Sequence, residues 1–148
     1  MKKILLFTIF VWSIIACNPG TETKYYTVSE YPSTAYGSKK TAEIHETSYY
    51  ESDSLAVAEE ERKYHFIQDD WNRKVEEAKT KNSQSDVLIF TRFRDEQRCL
   101  IKITHNRSFD FESLKKLIIQ HGPNSADVDA YCNNNDIELS IFPMLSNY

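Results

Sequence analysis

Hydrophobic residues are distributed unevenly along this chain of 148 residues. Residues 4–16 are apolar except for one threonine and one serine, and two lysines precede them. Residues 18–52 are rich in Ser, Thr, Tyr, Lys and Glu, and their apolar positions show no sustained period of 2 or 3.6. Regular patterns begin only near residue 53. The chain therefore divides into an apolar N-terminal segment, a polar linker over residues 17–52 and a domain over residues 53–148.

A long helix is predicted at the start of the domain. Apolar residues recur there at spacings of 3, 4, 4 and 3, which places them on one face of a helix. They are Tyr64, Ile67, Trp71, Val75 and Ala78. Asp53 or Ser54 is expected to cap its N-terminus, since either side chain can accept a hydrogen bond from a free backbone N–H group.

Two alternating segments, residues 86–94 and 98–105, predict a β-hairpin around Asp95-Glu96-Gln97. A three-residue loop pairs Phe93 with Cys99 and places Cys99, Ile101 and Ile103 on one face. We expect that face to pack against the helices. The opposite face would collect basic residues among apolar ones; its basic members are Arg92, Arg94, Arg98 and Lys102.

A second helix should follow Asp110, with Phe111, Leu114, Leu117, Ile118 and His121 on its apolar face. Gly122-Pro123 is a helix stop signal. A short helical turn at residues 126–132 and a last strand at residues 137–142 complete the pattern. We predict an α+β fold: a two-layer αββαβ sandwich in which a three-stranded sheet carries its helices on one face, after a flexible, disordered tether.

This order of elements resembles the αββαβ arrangement of BON domains. Those domains occur in exported lipoproteins and touch phospholipid. The glycines of the BON hairpin are missing from this sequence, and the order of elements alone does not carry function from one protein to another.

The N-terminal segment has the pattern of a secretory signal. This segment of thirteen residues is shorter than the roughly 20 needed to cross a bilayer, and it fits the apolar core of a signal peptide, which is about 7–15 residues long. The ending Ile14-Ile15-Ala16-Cys17 resembles the lipobox of bacterial lipoprotein precursors. That resemblance implies cleavage between Ala16 and Cys17, a diacylglyceryl group on the Cys17 thiol, and acylation of the new N-terminus.

Charge narrows the classes of partner. Removal of residues 1–16 takes away two lysines and no acids, which leaves 16 Lys+Arg against 22 Asp+Glu and a formal charge of −6. Nucleic-acid binding needs a basic surface and is not expected. The expected partners are the membrane, through lipid on Cys17, and another envelope protein or anionic headgroups. Asn18 after the lipidated cysteine favours the outer membrane, with the domain facing the periplasm or the cell surface.

The six tyrosines of residues 17–52 leave two interpretations open, a solvated tether or a segment that becomes ordered on a partner. Two interpretations are also open for Cys99 and Cys132: they form a disulfide, or they are two separate buried thiols. The basic face is either a contact surface for an acidic partner or the ordinary open face of a sheet.

No motif of a nucleophilic, metal-dependent or phosphate-binding enzyme occurs in the sequence. No cofactor and no catalytic residue is therefore assigned. We expect a lipid-anchored, non-enzymatic interaction module of the cell envelope. The alternatives are an immunity or inhibitor lipoprotein that neutralises a toxin, and a small envelope hydrolase.

Overall fold

The protein is described from a computed structural model, which covers residues 20–34 and 39–148. The described chain is α+β, as predicted, but its order of elements is ββααβααβ. The elements are β1 (Glu22–Tyr31), β2 (Thr41–Glu46), α1 (Asp53–Thr80), α2 (Gln84–Arg94), β3 (Gln97–His105), α3 (Phe111–His121), α4 (Ala126–Asn134) and β4 (Ile137–Pro143). The αββαβ order on which the resemblance to BON domains rested is therefore not the order of this chain.

Over residues 20–34 and 39–148 the sheet has four strands instead of three, all antiparallel, in the order β2-β1-β3-β4. Two of them lie in the segment predicted to be a linker, so the flexible tether is wrong for residues 22–31 and 41–46. β1 is a central strand that pairs with β2 on one side and with β3 on the other. The predicted signal peptide, its cleavage site and Cys17 lie outside the described residues.

Helices cover both faces of the sheet, whereas the sequence predicted one covered face. On the first face, Tyr26 and Val28 of β1 and Ile101 of β3 pack against Leu114 and Ile118 of α3. On the second face, Tyr25 and Leu100 pack with Tyr64 of α1. The prediction of a two-layer sandwich with helices on one face failed because consecutive residues of β1 and β3 are buried on opposite faces, which gives each central strand two apolar sides.

α1 begins as predicted, although its cap is Ser52, whose hydroxyl accepts from the Leu55 N–H at 3.2 Å. The expected apolar face is confirmed where Tyr64, Val75 and Ala78 are buried. Two polar side chains on the same helix, Glu60 and Gln68, are also buried, and the apolar spacing did not indicate them.

The predicted β-hairpin is wrong in its first strand. Residues 84–94 form α2, which follows a tight turn at Asn82, a residue with a φ of 53°. Asn adopts this left-handed conformation more readily than most residues. Trp71 of α1 stacks on Phe93 with ring centroids 4.7 Å apart, and it also contacts Phe90 at 5.7 Å. These contacts join α1 and α2 into a helical hairpin.

The C-terminal half of the prediction is confirmed. Asp110 caps α3 by accepting from the backbone N–H groups of Glu112 and Ser113, and Gly122 ends that helix with a φ of 86°. The short turn is a complete helix, α4. β4 pairs with β3 in the expected region, and Cys99, Ile101 and Ile103 do share the face toward α3.

The elements define two ends of the molecule. The lower end contains the start of β1, the end of β2 and the first turn of α1, where the Asp53 carboxylate accepts from Tyr25 Oη at 2.6 Å. The upper end contains the end of β1, the start of β3, and α2. Tyr64 Oη donates to the Glu96 carbonyl at 2.5 Å, which fixes the middle of α1 at the upper end of the sheet. Since an α-helix rises about 1.5 Å per residue, residues 69–80 of α1 extend roughly 18 Å beyond Gln68.

Candidate functional site

The four basic residues predicted to form one partner surface are not brought together. Arg92 and Arg94 belong to α2, while Arg98 and Lys102 belong to β3. Each of the four makes contacts within the chain. The common basic face is therefore not formed, because it depended on a strand at residues 86–94.

Arg92 fastens α2 to the connection between β1 and β2. Its guanidinium donates to the carbonyls of Pro32 at 3.0 Å and Lys39 at 2.9 Å, and to the Thr41 hydroxyl at 3.1 Å. Three acceptors on one guanidinium fix its position. The Arg92 side chain thus connects α2 to the loop between β1 and β2.

Arg94 and Arg98 hold the upper end of the sheet. Arg98 lies in a fork-like pair with Glu96, with nitrogen–oxygen distances of 2.8–3.2 Å; its side chain is 13 % exposed and that of Glu96 is 2 % exposed. Arg94 donates to Asn72 and Asp95, and it lies 5.6 Å from the ring centre of Tyr148. Both arginines are structural.

Lys102 is paired at the lower end, with its ammonium 2.9 Å from the Asp53 carboxylate. The same carboxylate accepts from Tyr25, and these two hydrogen bonds lower the pKa of Asp53. Burial, followed by the bond to Asp53, raises the pKa of Tyr25 to about 12. Lys102 is therefore part of a local network at the lower end, while Arg98, which shares its face of β3, lies at the upper end.

Cys99 and Cys132 are both free thiols. The disulfide left open by the sequence is not formed, and both side chains lie in the cluster between the sheet and the α3–α4 layer. Burial, with a smaller contribution from Glu30, raises the pKa of Cys99 to about 11. Because the thiolate is the nucleophile, this shift makes Cys99 unreactive near neutral pH.

The C-terminal residues are held on α1 by side chains that the sequence left unassigned. Gln68 donates to the Ser146 hydroxyl at 2.7 Å and accepts from the Asn147 N–H at 3.2 Å. Asp69 accepts from Tyr148 Oη at 2.7 Å. In this way residues 144–148 cover the middle of α1 and limit the surface free for a partner.

The free surface of α2 is the most distinctive feature of the upper end. None of its residues is buried, although Val87-Leu88-Ile89-Phe90 is a continuous apolar run. Phe90 and Phe93 pack on Trp71, whereas Leu88 is 39 % exposed and Ile89 is 50 % exposed. We call Leu88 and Ile89, with the grooves beside them, the α2 face.

A groove lies on each side of Leu88. The first has a volume of about 490 Å³ and is lined by Thr34, Gln84, Ser85, Leu88, Ile89, Arg92 and Phe93. The second has a volume of about 420 Å³ and is lined by Ala78, Lys79, Asn82, Ser83, Gln84, Val87 and Leu88. Apolar side chains form much of both grooves, and polar residues border them. This is the usual composition of a surface that receives an apolar side chain of a partner.

A third groove, of about 320 Å³, lies at the upper end of the sheet between its two helical layers, and Glu30, Arg98 and Cys99 are among its lining residues. Its strongest potential donor, Arg98, is paired with Glu96. Within the described residues every buried side-chain nitrogen and oxygen has a hydrogen-bond partner. The α2 face is accordingly the better candidate.

Comparison with family models, with curated proteins and with solved structures found no match. Among the helices of residues 20–34 and 39–148, none combines the length and hydropathy required to cross a bilayer. The same part of the chain contains no group of three His, Cys, Asp or Glu side chains placed to hold a metal ion.

Sequence reasoning missed the α2 face because it assigned residues 86–94 to a strand. Alternation would have separated Leu88 from Ile89, placing them on opposite sides of a sheet. On a helix the two residues are neighbours at the surface. The available signal was the unbroken apolar run of residues 87–90, which fits a buried strand or a helix equally well.

Proposed function

We propose that this protein is a lipid-anchored component of the bacterial cell envelope that acts as a non-enzymatic binding module. Lipid on Cys17 holds the mature chain to a membrane, with the outer membrane favoured by Asn18. The domain faces the periplasm or the cell surface. Its α2 face receives an apolar segment of another envelope protein.

The main support for the proposed binding surface is that Leu88 and Ile89 are exposed on α2, a helix without buried residues. Burying a Leu or Ile side chain contributes about 1.5–3 kcal/mol, so a partner that covers both gains a useful part of its affinity there. Grooves of about 490 and 420 Å³ flank Leu88 and offer space for one or two partner side chains.

The position of the α2 face supports the same proposal. It lies at the upper end of the molecule, while the lipid on Cys17 would be attached near Glu22 at the lower end. A partner that approaches from the aqueous space meets α2 before it meets the sheet. The preferred mode is an amphipathic helix or extended segment whose apolar side chains enter the grooves.

The test uses a photo-reactive amino acid at position 88 of the lipoprotein in its native cells. We expect an adduct with one defined envelope protein, which mass spectrometry of the cross-linked species would identify. Phe66 is the matched control position, because it is an apolar side chain of α1 that is 72 % exposed. The same probe at position 66 should give no such adduct.

A pair of variants then asks whether the contact contributes binding energy. Leu88→Gln together with Ile89→Gln should reduce capture of the identified protein by at least about tenfold, which corresponds to roughly 1.4 kcal/mol. Phe66→Gln should leave capture unchanged. Equal capture by both variants, with normal folding, would eliminate the α2 face as the binding surface.

A further inference from the structure

The distance between the lipidated cysteine and the folded domain is set by the position of β1. Only residues 18–21 separate Cys17 from Glu22, the first residue of the first strand. Five residue steps span at most roughly 16–18 Å in a fully extended chain. The long tether expected from the sequence would have permitted a separation several times larger.

Glu22 lies at the lower end, so a membrane that holds Cys17 must lie close to that end. The end of β2 is at the same level, since the Thr47 N–H donates to the Tyr25 carbonyl at 2.9 Å. The start of α1 is there too, because Asp53 bonds to Tyr25 and Lys102, which face each other across β1 and β3. The end of β2 and the start of α1 therefore lie beside the anchored strand.

Two of the most exposed apolar side chains of the described protein occur at this end. Tyr49, in the connection from β2 to α1, is 76 % exposed, and Leu55, in the first turn of α1, is 53 % exposed. Helical side chains lean toward the N-terminus of their helix, so Leu55 leans toward the lower end. Tyr is a frequent residue at membrane interfaces, where its ring lies among the lipid and its hydroxyl meets water.

The charges of the lower end are largely paired with one another. Lys24 lies 3.6 Å from both Glu22 and Glu46. Arg107 is paired with Asp136 at 3.4 Å. A surface of mixed and paired charge gives little attraction to anionic headgroups, so the contact should be apolar and should not depend on the charge of the lipid.

We propose that the lower end rests on the membrane that carries the Cys17 lipid, with Tyr49 and Leu55 inserted at the level of the headgroups. The occupant of this surface is thus the lipid bilayer. The inference rests on the proposed lipid anchor and adds an orientation to it: α1 rises away from the bilayer and presents the α2 face to the aqueous space.

The experiment uses the full lipoprotein reconstituted in vesicles of phosphatidylcholine with brominated acyl chains, which quench a nearby fluorophore. Tyr49→Cys, Leu55→Cys and Leu145→Cys are each labelled with bimane. Leu145 is the matched control, since it is 78 % exposed but follows β4 at the upper end. The protein without an introduced cysteine gives the background from Cys99 and Cys132.

Loss of most bimane emission at positions 49 and 55, with none at 145, is the expected result. The same pattern should hold when anionic lipid is added. Protein that floats with the vesicles but shows equal quenching at all three positions would overturn the orientation and leave the anchor intact. Native lipoprotein that does not float with the vesicles would overturn the anchor, and the orientation with it.

Discussion

Glu96 is the acidic side chain on which the upper end of the sheet depends. It is 2 % exposed and is paired with Arg98, whose side chain is only 13 % exposed. Arg98 also lies 5.2 Å from the ring centre of Tyr64, so the pair joins β3 to α1. Breaking a buried pair leaves an uncompensated charge in a medium that solvates it poorly.

Glu96→Gln should therefore lower the free energy of unfolding by about 3–5 kcal/mol, measured by urea denaturation. The matched control is Glu59→Gln, which breaks an exposed pair with Arg62 and should leave the free energy of unfolding nearly unchanged, because solvent screens exposed pairs. Equal losses from the two variants would contradict the structural role of the Glu96–Arg98 pair.

The two thiols offer a second residue-scale prediction. Cys99 and Cys132 are free, and burial raises the pKa of both. With Cys17 blocked by the proposed lipid, Ellman's reagent at neutral pH should react slowly with the native protein. After unfolding in guanidinium without reductant it should detect two thiols per chain. Detection of none would mean that Cys99 and Cys132 form a disulfide.

At the scale of elements, β1 determines where the domain begins. It hydrogen-bonds to two strands and contributes Tyr25 to one core and Tyr26 and Val28 to the other. Deleting it would leave an unpaired edge on β3 and open both cores. The domain boundary near residue 53 that the sequence suggested excludes this strand.

A fragment of residues 53–148 should consequently show no cooperative thermal unfolding by circular dichroism. A fragment of residues 20–148 should unfold in one transition, because it retains all four strands. If the shorter fragment melted cooperatively near the temperature of the longer one, β1 would not be integral to the fold.

The sequence predicts some elements well for a physical reason. α3 has one buried face, and Ile137, Leu139 and Ile141 of β4 all point to the same core, so the periods of 3.6 and 2 identify these elements. Asp110 and Gly122 mark the ends of α3. In α1 the apolar spacing found the helix. It could not find Gln68, whose burial depends on partners far away along the chain, at Arg94, Ser146 and Asn147.

The wrong predictions for β1 and α2 have a physical reason as well. Residues 25–29 of β1 are all buried, because helices cover both sides of that strand, and a strand buried on both faces lacks the alternation that reveals a half-buried one. Its signal was composition: Tyr, Thr and Val are frequent in strands. In α2 the β-branched and aromatic residues favoured a strand, and tertiary packing of Phe90 and Phe93 on Trp71 overrode that preference.

At the scale of the whole molecule, the candidate site could not be predicted from the sequence because it depends on both corrections. The helical form of residues 84–94 creates the α2 face, and the early start of β1 shortens the link to Cys17. With both in place, the proposed anchor and the proposed binding surface lie at opposite ends of the molecule. Lipid attachment at Cys17 is the claim on which this arrangement depends most.

Mass spectrometry of the N-terminal tryptic peptide tests that claim directly. Protein isolated from membranes of its native cells should yield the peptide of residues 17–24, which ends at Lys24 and carries a diacylglyceryl group on Cys17, with a fatty acid on the new N-terminus. A Cys17→Ala protein should yield no lipidated peptide. A peptide of residues 4–24 with an unmodified Cys17 thiol in the wild-type protein would contradict the account.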